Sequence, residues 1–145
     1  MDLLDLLKRP EGKTLEFKRD LSSPDGALKT IVAFANTAGG TLLIGVEDRS
    51  RNVRGVADPL DEEERLANLI SDRISPRLVP EIEILPWRQT QVLALQVYPS
   101  PSRPHHLIRE SPAAGIDVRV GSTNRRADAE LIEEIACRRA WRGGA

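Results

Sequence analysis

A single cysteine, Cys137, stands in a chain of 145 residues, which excludes an intramolecular disulfide and a cysteine-built zinc cage. Aromatic residues make up only 3% of the chain, which speaks against a single-strand binder built on rows of stacking rings, because each base would need a ring or an arginine plane beneath it. The formal net charge of -1 supplies no overall basic excess, so any contact with nucleic acid must come from a local patch. No apolar run approaches the ~20 residues that span a bilayer, and the opening MDLLDLLKRPEGK carries acids and no cleavage pattern. A cytoplasmic protein with no membrane partner is therefore expected. Neither GxxxxGK[ST] nor GxGxxG occurs, so no known phosphate loop supports nucleotide binding.

What is present suits one compact domain over residues 1–145. With 40% hydrophobic and 30% charged residues the chain has enough apolar side chains to bury a core. The organising stretch is AFANTAGGTLLIGVEDR, Ala33 to Arg49. A helix ends, Gly39 takes the left-handed conformation that closes it, and Gly40 keeps the turn tight. Thr41, Leu42, Leu43, Ile44 and Val46 then read as a central strand covered on both faces.

Around this unit the pattern predicts further elements. Asp2 to Lys8 sets Leu3, Leu4, Leu6 and Leu7 on a short helical stripe. Thr14 to Lys18 alternates as a half-buried strand, with Leu15 and Phe17 inward and Glu16 and Lys18 outward. Ser23-Pro24-Asp25 starts a helix that runs to about Ala38, with Leu28, Ile31, Val32 and Ala35 on the sheet and Asn36 at the margin. Asp48 to Asn52 is a turn into a short returning strand at Val53 to Val56. A second helix starts at Asp58-Pro59, its acidic first turn matched to the helix dipole, and Ser75-Pro76 ends it. Glu81 to Trp87 and Gln91 to Tyr98 read as paired strands, Pro99 to Pro104 as a surface loop, and His105 to Ile108 as a short strand. Ile116 to Val120 alternates as a strand, GSTNRRA follows as a polar loop, and a closing helix starts at Asp128. The expected fold is α+β: a mixed, largely antiparallel sheet with two principal helices and a short C-terminal helix.

EGKTLEFKRD followed by IVAFANTAGGTLLIGVEDRSRNVRGV resembles the Schlafen AlbA-like domain, and the likeness continues weakly through RPHHLI and IDVRVGSTNRRA. That family is described as DNA-binding and occurs in bacterial transcriptional regulators, helicase-related proteins and animal Schlafen proteins. The resemblance implies a regulatory module that binds nucleic acid, DNA first, and needs no cofactor to do so. Lys18, Arg19, Arg103, Arg119, Arg125 and Arg126 are the candidate phosphate contacts, with Ser122, Thr123 and Asn124 as extra donors. Activities such as an ATPase would belong to further domains of a longer protein.

A second expectation also follows from the resemblance. In ribonucleolytic Schlafen proteins three acids occupy positions matched here by Glu11, Glu16 and Asp48. Three carboxylates brought together would capture Mg²⁺ or Mn²⁺, which could activate water against a phosphodiester. The competing account pairs Glu16 with Lys18 or Arg19, gives Asp48 a turn-capping role and leaves Glu11 solvated. Catalytic Schlafen proteins pair two such lobes and carry strongly basic surface; this chain offers one lobe and near-neutral charge, although a homodimer would supply the second. On its own the chain is therefore expected to be a binder rather than an enzyme. A third reading makes it an interaction domain whose Leu3 to Leu7 stripe and closing helix bind protein. His105 and His106, adjacent in a strand, would point to opposite faces and cannot share a zinc ion.

Overall fold

The computed structural model describes residues 2–110 and 115–144, with side chains described as far as residue 137. Its elements are α1 (Leu3–Lys8), β1 (Leu15–Lys18), α2 (Pro24–Asn36), β2 (Gly40–Ile44), α3 (Pro59–Arg73), β3 (Ile74–Ser75), β4 (Glu81–Trp87), β5 (Thr90–Val97), β6 (His106–Leu107), β7 (Asp117–Val120), β8 (Thr123–Arg126) and α4 (Ala129–Gly144). The fold is α+β. Its main sheet has the order β1-β2-β5-β4, with β1 and β2 parallel and the remaining pairs antiparallel.

β2 is the central strand that the apolar run predicts. Leu42 and Ile44 face α2 and α3 together with Leu93 and Leu95, while Leu43 faces the α1 side with Phe17, Val92 and Ala94. Leu42, Leu43 and Ile44 are wholly buried, worth about 1.5–3 kcal/mol each in transfer free energy. Gly39 adopts φ +78°, as its helix-closing role requires. Gly40 answers a different need: a Cβ there would lie 2.8 Å from three atoms of the Phe34 ring. The glycine lets strand β2 pass directly under that ring.

The paired strands β4 and β5, the Pro59 start of α3 and the α1 helix all match the sequence pattern. Asp58 caps α3 by accepting from the Asp61 amide, and Asp128 does the same for α4 through Leu131. Ser23 makes no such side-chain bond. Five other features differ from expectation. Leu3 and Leu6 are buried against the chain's own sheet, which removes the core of the proposed protein-binding stripe. The Val53 to Val56 segment forms only an isolated bridge, Val46 to Val53. GSTNRRA is largely the strand β8, paired antiparallel with β7. The closing helix α4 spans 16 residues and is as substantial as α2 and α3.

The fifth difference is Asn36, which lies in the interior. Its amide donates to the carbonyls of His105 and Asp117 at 3.0 and 2.9 Å, and its Oδ1 accepts from the His105 amide at 2.7 Å. One side chain thus ties α2 to the segment before β6 and to β7, with both of its ends satisfied. His105 is wholly buried beside it. The ring's Nδ1 must carry the proton, because its partner at 2.7 Å is the Pro76 carbonyl, and Nε2 accepts from the Ser100 hydroxyl at 2.6 Å. Burial pushes the imidazole below its ordinary pKa, which keeps it neutral in this role.

Candidate functional site

The three acids singled out from the sequence come from separate elements: Glu11 from the turn before β1, Glu16 from β1 itself, Asp48 from the loop after β2. β1 and β2 run side by side in parallel, with Glu16 level with Leu42; the Gly12 amide bonded to the Leu15 carbonyl folds the segment of Glu11 back along β1, and Asp48 follows the far end of β2. The carboxyl of Glu11 is pushed above its ordinary range, first by burial and then by the negative fields of Glu16 and Asp48, with Arg119 and Lys18 opposing. Glu16 and Asp48 each lie within electrostatic reach of Glu11. Glu11 Oε1 is shielded from solvent and has no hydrogen-bond partner.

Glu16 is not the outward residue that strand alternation predicts. The second face of β1 is covered by α2 and by the β7–β8 hairpin, and Glu16 is buried between them. Its Oε1 accepts from Arg119 at 2.7 Å; its Oε2 accepts from the Thr30 hydroxyl at 2.6 Å and has Lys18 Nζ at 3.6 Å. Among the described residues, no three acid, histidine or cysteine side chains are arranged to hold a metal ion.

Two of the six candidate phosphate contacts are corrected by their burial. Arg119 has a fully enclosed side chain that donates to Gly12 O, Glu16 and Asn124, and it lies 5.1 Å from the Phe34 ring centroid. It cannot also reach a phosphate in solvent. Arg103 is 4% exposed: the loop from Pro99 to Pro104 is on the surface at Pro99, Pro101 and Ser102, as expected, but Ser100, bonded to His105, and Arg103 turn inward. The remaining four reach solvent. Arg19 and Arg125 are exposed, Lys18 is half-buried, and Arg126 is exposed with Glu110 at 3.9 Å.

Two of these cations, Lys18 and Arg126, lie near the first half of α2, whereas Arg19 leaves the end of β1 and Arg125, level with Val118, is on the opposite face of β8 from Arg126. Lys18 Nζ lies 3.2 Å from the position a Cβ on Gly26 would take, Asn124 of β8 donates to Thr30 at 2.9 Å, and Lys29 and Arg126 both act on the buried carboxyl of Asp117. Arg73 and Arg109, which sequence reasoning missed, join them there through Asp25. No local pattern announces those two, because they arrive from the end of α3 and the loop after β6. Asp117 itself keeps an unbonded Oδ2, and burial raises its pKa.

The charge balance around Glu11 gives a direct prediction. A carboxyl whose folded pKa is raised binds its proton more tightly when folded, so its ionisation costs stability as pH rises through the ordinary value of 4.5 and beyond. Glu11→Gln is expected to raise the melting temperature at pH 7 by roughly 1–3 °C, and the gain should vanish below pH 4.5. Thermal melts of both proteins across that range check it; a lower melting temperature at pH 7 would contradict the crowding of the three acids.

The comparisons with known proteins agree with this architecture. The N-terminal domain of a protein related to the ATP-dependent DNA helicase RecG, from Nitrosomonas europaea, superposes with a TM-score of 0.64 at 24% identity, over 85% of this chain and 91% of that one. A crystal structure of a protein from Corynebacterium diphtheriae gives a TM-score of 0.65 at 22% identity, over 84% of this chain but only 26% of that larger one. At these identities the likeness establishes the fold alone. The family itself is established by the sequence: residues 11–128, from the first candidate acid to the cap of the closing helix, match the family Schlafen, AlbA_2, and the chain belongs to it.

Proposed function

We propose that this domain binds nucleic acid, with DNA the expected partner, as the recognition module of a regulatory or helicase-related protein. The observation that carries the reading is the set of solvent-reaching cations on β1, its exit and β8: Lys18 and Arg126, with Arg73 and Arg109, near the first half of α2, Arg19 at the end of β1, and Arg125 on the other face of β8. Arg19 and Arg125 form no salt bridge among the described residues, so their guanidinium groups are available to phosphate oxygens without breaking an existing pair. Membership of the family and the helicase-related neighbour add support. No helix among the described residues is long and apolar enough to cross a membrane.

Arg125→Ala combined with Arg126→Ala tests this reading. Each lost phosphate contact removes about 0.9 from the slope of log affinity against log salt. The double variant should therefore bind labelled DNA at least tenfold more weakly and show a slope lower by about 2. Fluorescence anisotropy at several salt concentrations measures both. Binding that ignores salt, or no binding by the parent domain, would overturn the proposal.

A metal-dependent ribonuclease using Glu11, Glu16 and Asp48 is the second reading, and one observation favours it: Glu11 feels the fields of both other acids and keeps an unbonded buried oxygen. Glu11 and the exposed Asp48 have oxygens to offer Mg²⁺ or Mn²⁺, whereas both oxygens of Glu16 already accept bonds. The fit is thus two acids of three, and the reading ranks below simple binding. In it, the metal would supply Lewis-acid and water-activating chemistry while Arg119 and Thr30 hold Glu16 in place.

A further inference from the structure

A cleft of about 410 Å³ opens beyond the carboxyl ends of the parallel strands β1 and β2, between the turn that leaves β1 and the segment that enters α3. Its volume is in the range of sites that hold small ligands. The floor is apolar: Leu21 and Ile44 are buried core residues, and Val56 packs against the same cluster. The position is the one in which open α/β units take ligands, outside the ends of parallel strands.

The polar groups around it are unevenly committed. Asp20 accepts from the amide and hydroxyl of Ser22, Asp58 caps α3, and Glu62 lies 3.8 Å from Arg65. Carboxylates only accept, so these three favour a ligand that brings N–H donors to them. Arg65 is pinned by a bond from Nη1 to the Leu21 carbonyl at 2.9 Å, which fixes its guanidinium at the wall as a planar surface. Arg19 stands at the mouth and is shared with an adjoining depression of about 300 Å³ that also holds Asp48, Arg49 and Ser50. Apolar floor, arginine plane, acceptor rim and an exposed cation outside match the chemistry of one nucleotide: a flat base with exocyclic amines inside, its phosphate outside.

We propose that this cleft receives a single unpaired base of a bound strand while Arg19 and Arg49 hold the flanking phosphates, so that the domain prefers single-stranded or locally opened nucleic acid to intact duplex. The inference rests on the nucleic-acid reading above and deepens it. A chain with few aromatics can hold a base this way because an arginine plane replaces the stacking ring. Adenine, cytosine and guanine, which carry exocyclic amines, suit the acceptor rim best; thymine and uracil offer it only the ring N3–H.

The test compares a labelled cytosine-rich single strand with the same backbone made abasic, by anisotropy at low salt. The base-bearing strand should bind roughly tenfold more tightly, a thymine strand should fall between, and Ala57→Trp, which fills the cleft from its exposed rim, should erase the difference. Cytidine monophosphate should also shift the amide resonances of Leu21 and Val56 in the unaltered protein, a measurement that needs no variant to fold. Equal affinity for the two strands with unmoved Leu21 and Val56 resonances overturns the base cleft and leaves the phosphate-binding reading intact. Failure of both strands to bind overturns both.

Discussion

Arg119→Leu is expected to lower the stability of the domain by about 3–5 kcal/mol, the largest loss foreseen for any single side chain here. The guanidinium is wholly enclosed and donates to Glu16 Oε1 at 2.7 Å, Asn124 Oδ1 at 2.8 Å and twice to the Gly12 carbonyl, at 3.0 and 2.9 Å. Leucine would satisfy none of these. Glu16, with a side chain only 10% exposed, would keep among the described residues the Thr30 hydroxyl and a lysine nitrogen 3.6 Å away as its counterparts. A buried carboxylate stripped of its partner costs far more than the pair contributes when intact, because the desolvation penalty is no longer offset. For a domain of this size the loss corresponds to a melting temperature lower by about 10 °C, measurable by circular dichroism.

The form of the penalty can be tested as well as its size. Replacing Glu16 with leucine at the same time removes the orphaned charge, so the double variant should recover a large part of what Arg119→Leu loses. Arg119→Lys should not recover it, since an ammonium group is a single point of charge and cannot fork between Glu16, Asn124 and Gly12. A single variant that melts within 2 °C of the parent would contradict the enclosed pair. Because Arg119 also holds the β7–β8 hairpin that carries Arg125 and Arg126, binding should be compared only at temperatures where the variants remain folded.

This pair also marks where the sequence stops being legible. β1 reads correctly as an alternating strand, and Leu15 and Phe17 are buried as the alternation requires. Alternation assigns two faces but does not say what covers the second one. Here the cover arrives from Arg119, 103 positions away, and no local pattern registers it. The same limit explains β8: Thr123 to Arg126 are all polar and mostly exposed, so nothing apolar alternates, and the strand exists because β7 offers it a pairing edge. Arg103 departs from expectation for a related reason: a proline-rich run signals missing ladder bonds, and does not say which of its side chains turn inward. By contrast, β2, β4, β5 and the start of α3 were legible because their causes are local: an apolar run between glycines, paired alternations, an aspartate-proline cap. The acid trio is a mixed case. Its membership comes from the family motif; the negative fields of Glu16 and Asp48 at Glu11 depend on how the turn before β1 and the loop after β2 fold back, which periodicity does not specify.

The glycine that closes α2 supplies the second large effect. Gly39→Ala is expected to cost about 3 kcal/mol, summing a backbone cost at positive φ with a packing clash. At φ +78° a new Cβ would stand 2.6 Å from the Val97 carbonyl oxygen and 2.8 Å from Pro99 Cδ. Neither obstacle is the loose end of a side chain: Val97 ends β5, the neighbour of the central strand, and Pro99 is a ring. The small entropic advantage of alanine in the unfolded chain, about 0.4–1 kcal/mol, is too little to compensate. Two other glycines separate the contributions. Gly121 has φ +58° with nothing within 4 Å of the added carbon, so Gly121→Ala should show the backbone cost alone, about 1 kcal/mol. Gly12 has neither positive φ nor crowding, and Gly12→Ala should be neutral or slightly stabilising. Chemical denaturation of the three variants should rank them in that order. If Gly39→Ala lost no more than Gly121→Ala, the close approach of the helix end to β5 would be wrong, and with it the turn that sets Phe34 over Gly40 and starts the central strand.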